Sequence, residues 1–323
     1  FPSPFKKSLI LTMDGVGEWA TCSVAIGDNN KISFIKEINF PHSIGLLYSA
    51  FTYYLGFKVN SGEYKLMGLA PYGEPKYTDI IKKNLVTIFD DGSFKLNMKY
   101  FDYCTGLKMT NENFNRLFDQ KPRSPEEKLT QKDMDIASSI QNVLEEIIIK
   151  IVKNIKSETQ IGNICLSGGV ALNCVSNANI LNKKLFENIW IQPASGDAGG
   201  AIGAALSIYY LMLKKDRNLK SKNDDMQGCY LGPKFSEEQT IEQLDSLDAV
   251  YNKKHEDELI DIVAQKLFEG KAIGWMDGRM EFGPRALGNR SILASPLLDD
   301  MQKNLNIKIK FRESFRPFAP SIL

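Results

Sequence analysis

Apolar runs separated by short polar turns fill the beginning of the chain and predict three strands followed by a helix. The runs Ser8–Met13, Ala20–Ile26 and Lys31–Ile38 are divided by turns that contain glycine and asparagine, a pattern typical of an antiparallel meander. From Pro41 to Phe57, leucine, tyrosine and phenylalanine recur at helical spacing, so this segment is predicted to be a helix with one face in the core.

A second apolar pattern, with the period of a long helix, follows Thr130, whose side chain together with Asp133 can cap the helix N-terminus. The predicted core stripe of this helix consists of Ile136, Ile140, Val143, Leu144, Ile147, Ile151 and Ile155. Two short strands come next, Asn163–Leu166 and Ile189–Gln192, and each runs through a glycine turn into another helix. The alternation of strands and helices predicts an α/β fold.

These two glycine turns are the first candidates for chemistry. They read Ser167-Gly168-Gly169, with Asn173 close behind, and Ser195-Gly196-Asp197. Backbone N–H groups in such turns, and the helix N-termini that follow them, can face an anion at close range. Asp197 would repel a phosphate unless a cation lay between them, so the combination indicates a nucleotide or phosphate bound with a metal. Ordinary loop closure in an α/β protein is the alternative.

Two further positions carry charge where a site can form. Asp14 stands where the first strand ends, either as a catalytic carboxylate or as a turn aspartate that holds its own backbone. Glu63 and Lys65 lie among glycine and small residues in the segment Ser61–Gly73, which we expect to be a loop that faces substrate. A surface ion pair is the other interpretation of these two residues.

The second half of the chain begins with a charge-rich, weakly apolar stretch, residues 213–227, which is predicted to link two domains. Helices are predicted over Phe235–Leu247 and Glu256–Phe268, and a strand over Ala272–Trp275.

Three arginines, Arg279, Arg285 and Arg290, then alternate with glycine, proline and Asn289. Guanidinium groups bind phosphate and carboxylate oxygens in pairs, which favours an anion site over a solvated basic face. The final segment adds further basic residues, among them Lys310 and Arg316.

Composition narrows the class of function. The net charge of +1 gives no electrostatic sign of a nucleic-acid partner, and no apolar run reaches the roughly 20 residues of a membrane span. The five cysteines form no CxxC pair and fit reduced thiols of a cytoplasmic protein. The chain opens on Phe-Pro-Ser-Pro-Phe and ends on an apolar run, so we expect it to be a segment of a longer protein that is cut at both ends.

Four motifs, taken together, resemble the NodU/CmcH/TobZ family of carbamoyltransferases, and the likeness runs through the whole chain. They are Asp14–Thr21, Ser61–Gly73, Leu166–Asn173 and Gly278–Ser291. The resemblance implies an N-terminal Kae1-like carbamoyl-transfer domain of the actin-like/Hsp70 ATPase fold over residues 1–212. It also implies a partial α/β YrdC-like domain over residues 228–323, which forms carbamoyl-adenylate.

The reaction implied by the resemblance has two steps. Carbamoyl phosphate and ATP, with Mg²⁺, give carbamoyl-adenylate, and the carbamoyl group then passes to a hydroxyl group of a natural product or sugar. Asp14 and Asp197 match the family's two aspartates that hold a divalent metal, with Fe²⁺ expected and Mn²⁺ or Zn²⁺ as options. The family's two histidine ligands, in an HxxxH motif, precede the Phe-Pro-Ser-Pro-Phe segment, and neither His42 nor His255 replaces them.

Other roles carried over by the resemblance concern binding of the two substrates. Ser167, Gly168, Gly169 and Asn173 match the family's nucleotide-contacting loop, and Arg285, Lys310 and Arg316 match the basic residues around the adenylate phosphates. From the residue patterns described above, we also expect contacts to substrate or nucleotide from Gly196, Glu63, Lys65, Arg279, Asn289 and Arg290.

Two other functions stay open at this point. One is threonylcarbamoyl-type modification of tRNA, and the other is a nucleotide-binding fragment without turnover. The near-neutral charge and the arginine motif favour a small hydroxylated acceptor over nucleic acid. The sequence leaves the oligomeric state open, with a homodimer as one option.

Overall fold

The computed structural model of the protein describes residues 1–219 and 224–322, which divide into two compact units, Phe1–Asn223 and Asp224–Leu323. The predicted linker, residues 213–227, straddles this division, and its residues 220–223 lie outside the described part of the chain. Before that gap, Lys215 accepts a hydrogen bond from Asn30 and Arg217 donates to the Phe5 carbonyl, so this stretch packs on the first unit.

The strands and helices predicted for the first unit occur in the predicted order, and further short elements lie between residues 63 and 117. Its strands are β1 (Lys7–Met13), β2 (Ala20–Asp28), β3 (Lys31–Asn39), β4 (Val86–Ile88), β5 (Phe94–Leu96), β6 (Asn163–Ser167) and β7 (Asn188–Ile191). Its helices are α1 (Ile44–Tyr54), α2 (Glu63–Leu69), α3 (Thr78–Asn84), α4 (Glu112–Leu117), α5 (Gln131–Thr159), α6 (Cys174–Asn182) and α7 (Asp197–Ser207).

Within the described residues, the first unit is built on a mixed five-stranded sheet in the order β3-β2-β1-β6-β7. β1, β2 and β3 form the predicted antiparallel meander, whereas β6 lies parallel to β1 and β7 parallel to β6. Parallel neighbours in one sheet need crossover connections, which here contain helices, so the α/β class is confirmed.

The two faces of β1 have different environments. Leu9, Leu11 and Met13 are buried, while Ile10 and Thr12, which alternate with them, line a cavity on the other face. Side chains of a strand point alternately to opposite sides, so one face of the sheet supplies the core and the other supplies the floor of the cavity.

Helix α5 confirms the prediction made for its apolar stripe, because all seven stripe residues are buried. Its N-terminus carries a capping box, in which Thr130 Oγ1 accepts from the Asp133 N–H and the Asp133 carboxylate accepts from the Thr130 N–H at 2.8 Å. The buried Asp133 also accepts from Gln120 Nε2 at 2.8 Å, which ties the helix start to the preceding segment.

The segment Ser61–Gly73 is not the predicted loop, since Glu63–Leu69 forms helix α2 and Ala70–Tyr72 a 3₁₀ turn. The Glu63 carboxylate accepts from the Asn60 and Gly62 N–H groups, which satisfies backbone donors at the start of α2. The glycines that suggested a loop instead allow tight packing, because a side-chain carbon on Gly73 would overlap the backbone of α5 at Met134.

The second unit contains helices α8 (Glu237–Ser246), α9 (Glu256–Phe268) and α10 (Met301–Asn304). Strands β8 (Ile273–Met276) and β9 (Arg290–Leu293) pair as an antiparallel hairpin, and the arginine motif forms the connection between them. No helix in residues 1–219 and 224–322 combines the length and the apolar character that crossing a bilayer requires.

Replacement of Thr130 by alanine removes the cap of α5 and should lower the free energy of unfolding of the first unit by about 1 kcal/mol. Thr105→Ala is the control, because Thr105 is exposed and lies in a turn outside the helices. Urea denaturation followed by circular dichroism measures both. Equal stabilities of the two variants would contradict the role of the cap.

Candidate functional site

The candidate site of the first unit lies where β1 and β6 end. Thr12 pairs with Ser167 across the parallel ladder, so the segments that follow both strands leave the sheet at the same edge. Gly168 has φ +86°, and a side-chain carbon there would overlap the Met13 carbonyl oxygen. Only glycine allows this close approach, which brings the first glycine turn against the end of β1.

Asp14 follows Met13 and is held on three sides. Its N–H donates to the Thr21 carbonyl and its carbonyl accepts from Ser43 Oγ, both at 2.9 Å. Its Oδ1 accepts from the Gly15 N–H at 2.6 Å and lies 3.7 Å from the Cβ position of Gly169. The turn interpretation of Asp14 therefore holds in part, and the same side chain also lies beside the glycine turn.

A cavity of about 590 Å³ lies between this face of the sheet and α7, within the usual range for small-molecule sites. Five of the residues predicted from the sequence are brought together in its lining, namely Asp14, Ser167, Gly168, Gly196 and Asp197. The two carboxylates, which are 183 positions apart in the sequence, thus share one cavity.

The second glycine turn carries a hydroxyl group that the sequence did not single out. Ser195 lines the cavity and is only 4% exposed, yet its Oγ has no hydrogen-bond partner among the described residues. A buried hydroxyl is costly to leave unpaired, so a ligand atom in the cavity would stabilise it. Two residues further on, Asp197 begins α7, where a carboxylate interacts favourably with the helix dipole.

Arg217 is a second residue that sequence reasoning missed, because it fell in the predicted linker. Its guanidinium donates to the carbonyl groups of Ser3 and Phe5, and the residue lines the cavity. It places a permanent positive charge in the lining that contains both Asp14 and Asp197. Only the tertiary fold indicates this role, since its sequence neighbourhood is a charged stretch.

Asn173 and Glu63 are engaged in local structure. Asn173 is buried, caps α6 by accepting from the Ser176 N–H at 3.0 Å, and exchanges amide hydrogen bonds with Gln141. Glu63 accepts from Ser49 Oγ at 2.7 Å in addition to its bonds at the start of α2. Lys65 Nζ lies 5.7 Å from the centre of the Phe57 ring. Their assignment to substrate contact stays a prediction.

Asp14 and Asp197 are the candidate ligands of a metal ion in this cavity. Asp14 and Asp197 offer oxygen atoms to a divalent cation from one lining, but in residues 1–219 and 224–322 no group of three or more His, Cys, Asp or Glu side chains is placed to hold one. His42 has a structural position instead, since its Nδ1 accepts from the Leu96 N–H at 3.2 Å. Burial, with Lys95 nearby, lowers the pKa of His42.

In the second unit, the arginine motif forms a loop whose backbone is held by its own side chains. Arg279 donates to the Gly232 carbonyl at 2.8 Å, and Asn289 Nδ2 donates to the Arg279 carbonyl at 2.8 Å. Arg290 donates to the carbonyl of Gly283 at 2.6 Å and contacts that of Arg285 at 3.4 Å. Arg285 itself is exposed at the tip of the loop.

Glu281 organises this loop and was not among the predicted site residues. It is 3% exposed, accepts from the N–H groups of Leu287 and Asn289 at 2.7 and 3.0 Å, and pairs with Arg290 at 3.3 Å. Burial opposes its ionisation, but these hydrogen bonds and the Arg290 charge outweigh it, so the pKa of the Glu281 carboxyl lies below its usual value. The sequence does carry a signal for this role, because Glu281 is the single carboxylate in a motif that contains three arginines.

Lys310 and Arg316 belong to the segment that follows α10. Lys310 is exposed, whereas Arg316 is buried and pairs with Glu313 at 3.6 Å. Asn306 is fully buried beneath this segment, where its amide donates to the Arg316 carbonyl at 2.8 Å and its oxygen accepts from Arg312 at 2.7 Å. The Asn306 amide thus holds the backbone at Arg316 and the side chain of Arg312, and Gln302 also donates to the Arg316 carbonyl at 3.1 Å.

Comparison with known families decides the relationship. Residues 1–206 match the family model described as Carbamoyltransferase N-terminus, and residues 264–323 match that described as Carbamoyltransferase C-terminus. The chain belongs to the carbamoyltransferase family. Membership confirms the family-level resemblance of the four motifs, while the Kae1-like and YrdC-like domain assignments stay predictions.

Individual relatives align over all or nearly all of the chain. An uncharacterized protein of Synechocystis sp., sll1178, is 56% identical over 100% of the chain and 53% of its own length. Nodulation protein NolNO of Sinorhizobium fredii is 35% identical over 99% of the chain and 45% of its own length. Nodulation protein NolO of Bradyrhizobium diazoefficiens is 34% identical over 99% of the chain and 56% of its own length. The chain therefore spans about half the length of the curated relatives it matches.

The close approach at Gly168 generates a stability prediction. Gly168→Ala should lower the free energy of unfolding by at least about 2 kcal/mol, because the methyl group overlaps the Met13 carbonyl and the positive φ is strained. Gly200→Ala in α7 is the matched control, since nothing lies within 4 Å of its Cβ position. Denaturant unfolding in which both variants stay as stable as the parent would refute the packing argument.

The buried carboxylate of Glu281 generates a pH prediction. Since its folded pKa lies below the ordinary value of 4.5, Glu281 stabilises the second unit above that pH, and this contribution is lost as the pH falls through the folded pKa. Glu281→Gln should lower the free energy of unfolding of the second unit at pH 7. Below pH 4.5, the free energy of unfolding of this variant should fall less steeply than that of the parent. Exposed Glu242→Gln should leave the profile unchanged. In a background that carries Trp19→Phe and Trp190→Phe, the fluorescence of Trp275 in β8 reports on unfolding of the second unit, and superimposable profiles for all three proteins would exclude this role.

Proposed function

We propose that the protein takes part in ATP-dependent O-carbamoylation of a small hydroxylated acceptor. The observation that carries the proposal is the shared cavity, in which Asp14 and Asp197 meet the Ser167-Gly168 turn in a member of the carbamoyltransferase family. The alignment with two nodulation proteins over nearly the whole chain supports it further. The arginine loop of the second unit supports an anionic co-substrate there.

The first step of the proposed reaction makes an activated carbamate. Carbamoyl phosphate is hydrolysed to carbamate and phosphate, and a carbamate oxygen then attacks the α-phosphorus of ATP while pyrophosphate leaves. Negative charge grows on the phosphate oxygens during this substitution. Arg285, Lys310 and Arg316 are proposed to stabilise that charge, and the Glu281 network keeps the arginine loop in its conformation before substrate arrives.

The second step transfers the carbamoyl group in the first unit. The acceptor oxygen forms a bond to the carbamoyl carbon, the bond from that carbon to the AMP oxygen breaks, AMP leaves, and the hydroxyl proton is released. The Ser195 hydroxyl and the backbone of the two glycine turns bind polar atoms of the adenylate, and Arg217 offsets part of its charge.

Asp14 and Asp197 are proposed to hold a divalent cation, Fe²⁺, Mn²⁺ or Zn²⁺, together with ligands from outside this chain. Phe1 lines the same cavity, so a segment that precedes it would lie next to the two carboxylates. When bound, the ion would act as a Lewis acid and permit two carboxylates and a phosphate to share the cavity.

Substitutions in the two units should separate the two steps in the full-length protein. Arg285→Ala should reduce ATP–pyrophosphate exchange by about 100-fold or more, because one charge-stabilising donor is lost. Asp197→Ala should retain exchange and lose carbamoyl transfer, measured as the mass shift of a hydroxylated acceptor.

Exposed Lys271→Ala and Asp28→Ala are the charge-matched controls for these two variants and should behave as the parent. Undiminished exchange in Arg285→Ala would overturn its assigned role. Loss of both activities in Asp197→Ala would contradict the division into two sites, and absence of exchange in the parent protein would reject the adenylate mechanism altogether.

A further inference from the structure

The first glycine turn opens on the cavity of about 590 Å³ at its beginning and is buried at its end. Ser167 and Gly168 line that cavity, and Gly169–Leu172 continues from them as a 3₁₀ turn. The turn stops at Asn173, which is 7% exposed and does not line the cavity. A group that holds Asn173 therefore acts on the cavity through the backbone of the turn.

Helix α1 fixes the carboxylate that lies beside this turn. Its N-cap residue, Ser43, donates to the Asp14 carbonyl, and a side-chain carbon on Gly45 would overlap the same carbonyl group. Asp14 lines the larger cavity and also a smaller one of about 410 Å³, which shares Thr12 and Ser23 with it. The start of α1 thus sets the backbone of Asp14 at the junction of the two cavities.

The same helix reaches the buried end of the turn through one glutamine of α5. Gln141 Oε1 accepts from the Tyr48 hydroxyl of α1 at 2.9 Å and from Asn173 Nδ2 at 3.0 Å. Gln141 Nε2 in turn donates to Asn173 Oδ1 at 3.2 Å and to Glu145 Oε1 at 2.9 Å. Tyr48, Gln141 and Asn173 are each at most 7% exposed, so bulk water does not compete for these bonds.

The directions of these bonds matter more than their number. Replacing both partners of a buried hydrogen bond by apolar groups of the same shape can leave stability nearly unchanged, so apolar side chains could have filled this space. What an amide pair adds is a fixed mutual orientation of the groups that it joins. Here the pair joins α1, whose start holds Asp14, to Asn173, whose Oδ1 also accepts from the Ser176 N–H at the start of α6. The glycine turn and Asp14 are therefore oriented by one shared buried connection.

We propose that Gln141 is a positioning residue for carbamoyl transfer, because it sets the glycine turn relative to Asp14 without touching a substrate. With its amide in place, the backbone N–H groups of the turn and the Asp14 carboxylate face the adenylate in one arrangement. Without it, the turn can shift against α1, and a displacement of ~1 Å is enough to slow a reaction by up to about 100-fold. The inference rests on the proposed function, since it concerns the step in which the turn binds the adenylate.

The test uses the full-length protein and Gln141→Met, which keeps the length of the side chain and removes its hydrogen bonds. The kcat of carbamoyl transfer should fall by at least about 10-fold, because the reacting groups lose their alignment, while the KM for the acceptor stays unchanged. AMP, measured by calorimetry, should bind about 3- to 10-fold more weakly, because the turn is no longer preorganised. Pyrophosphate exchange, which is assigned to the second unit, should stay at the parent rate.

Ser139→Ala is the matched control, because Ser139 is a fully buried polar residue of the same helix. Its hydroxyl accepts from the Tyr77 N–H and donates to the Asp135 carbonyl, so its bonds do not involve the glycine turn. The melting temperature of this variant should fall as that of Gln141→Met does. Carbamoyl transfer and AMP binding should nevertheless stay at the parent values.

A charge exchange with Glu145 tests the connection in a second way. Gln141→Glu sets two carboxylates against each other and should slow transfer as Gln141→Met does. Adding Glu145→Gln restores the hydrogen bond between the two side chains with donor and acceptor exchanged, and it should recover most of the transfer rate. This pair of variants also decides the role if the melting curve shows that Gln141→Met does not fold.

Transfer at the parent rate in Gln141→Met, an equal loss of transfer in Ser139→Ala, or a double variant no faster than Gln141→Glu would each overturn the positioning role. If the parent lacks pyrophosphate exchange but binds AMP, the proposed function fails, and the AMP affinity of Gln141→Met decides the positioning role by itself. A parent protein that neither exchanges pyrophosphate nor binds AMP would overturn both.

Discussion

The packing of Gly168 against the end of β1 is the constraint on which the rest of the first unit depends. Because β1 and β6 are parallel neighbours, their following segments must leave the sheet side by side, and the absence of a side chain at Gly168 lets them touch. This contact sets Asp14 beside the glycine turn. The positions of both cavities follow, since Asp14 stands at their junction.

The two units hold their candidate sites by different physical means. In the first unit the backbone itself is closely packed, and polar groups such as the Ser195 hydroxyl are left for a ligand. In the second unit a buried carboxylate, Glu281, gathers backbone N–H groups and Arg290 around it, so that the exposed Arg285 sits on a loop with a fixed base. A preorganised loop of this kind loses little entropy when an anion binds.

In this member of the carbamoyltransferase family, two cavities with different linings meet around Asp14. The larger cavity combines glycine turns, a buried hydroxyl and Arg217, which suits a phosphate-bearing donor. The smaller cavity is lined by Glu18, Glu37 and Trp19, and it shares Thr12, Asp14 and Ser23 with the larger one.

The sequence by itself determined the elements that depend on local patterns. Residues close together in the sequence, through their periodicity and turn chemistry, specify these elements. They are the meander, the stripe and cap of α5, the strand–glycine–helix pairs and the family motifs. It also singled out Asp14, at a strand end, and Asp197, in a glycine turn, as candidate site residues. Tertiary structure alone decided which residues share the larger cavity, because Arg217 and Ser195 meet there with residues of β1 that lie far away in the chain. The same reason explains the helix at Glu63–Leu69, where packing against α5 overrides a glycine-rich pattern that locally favours a loop.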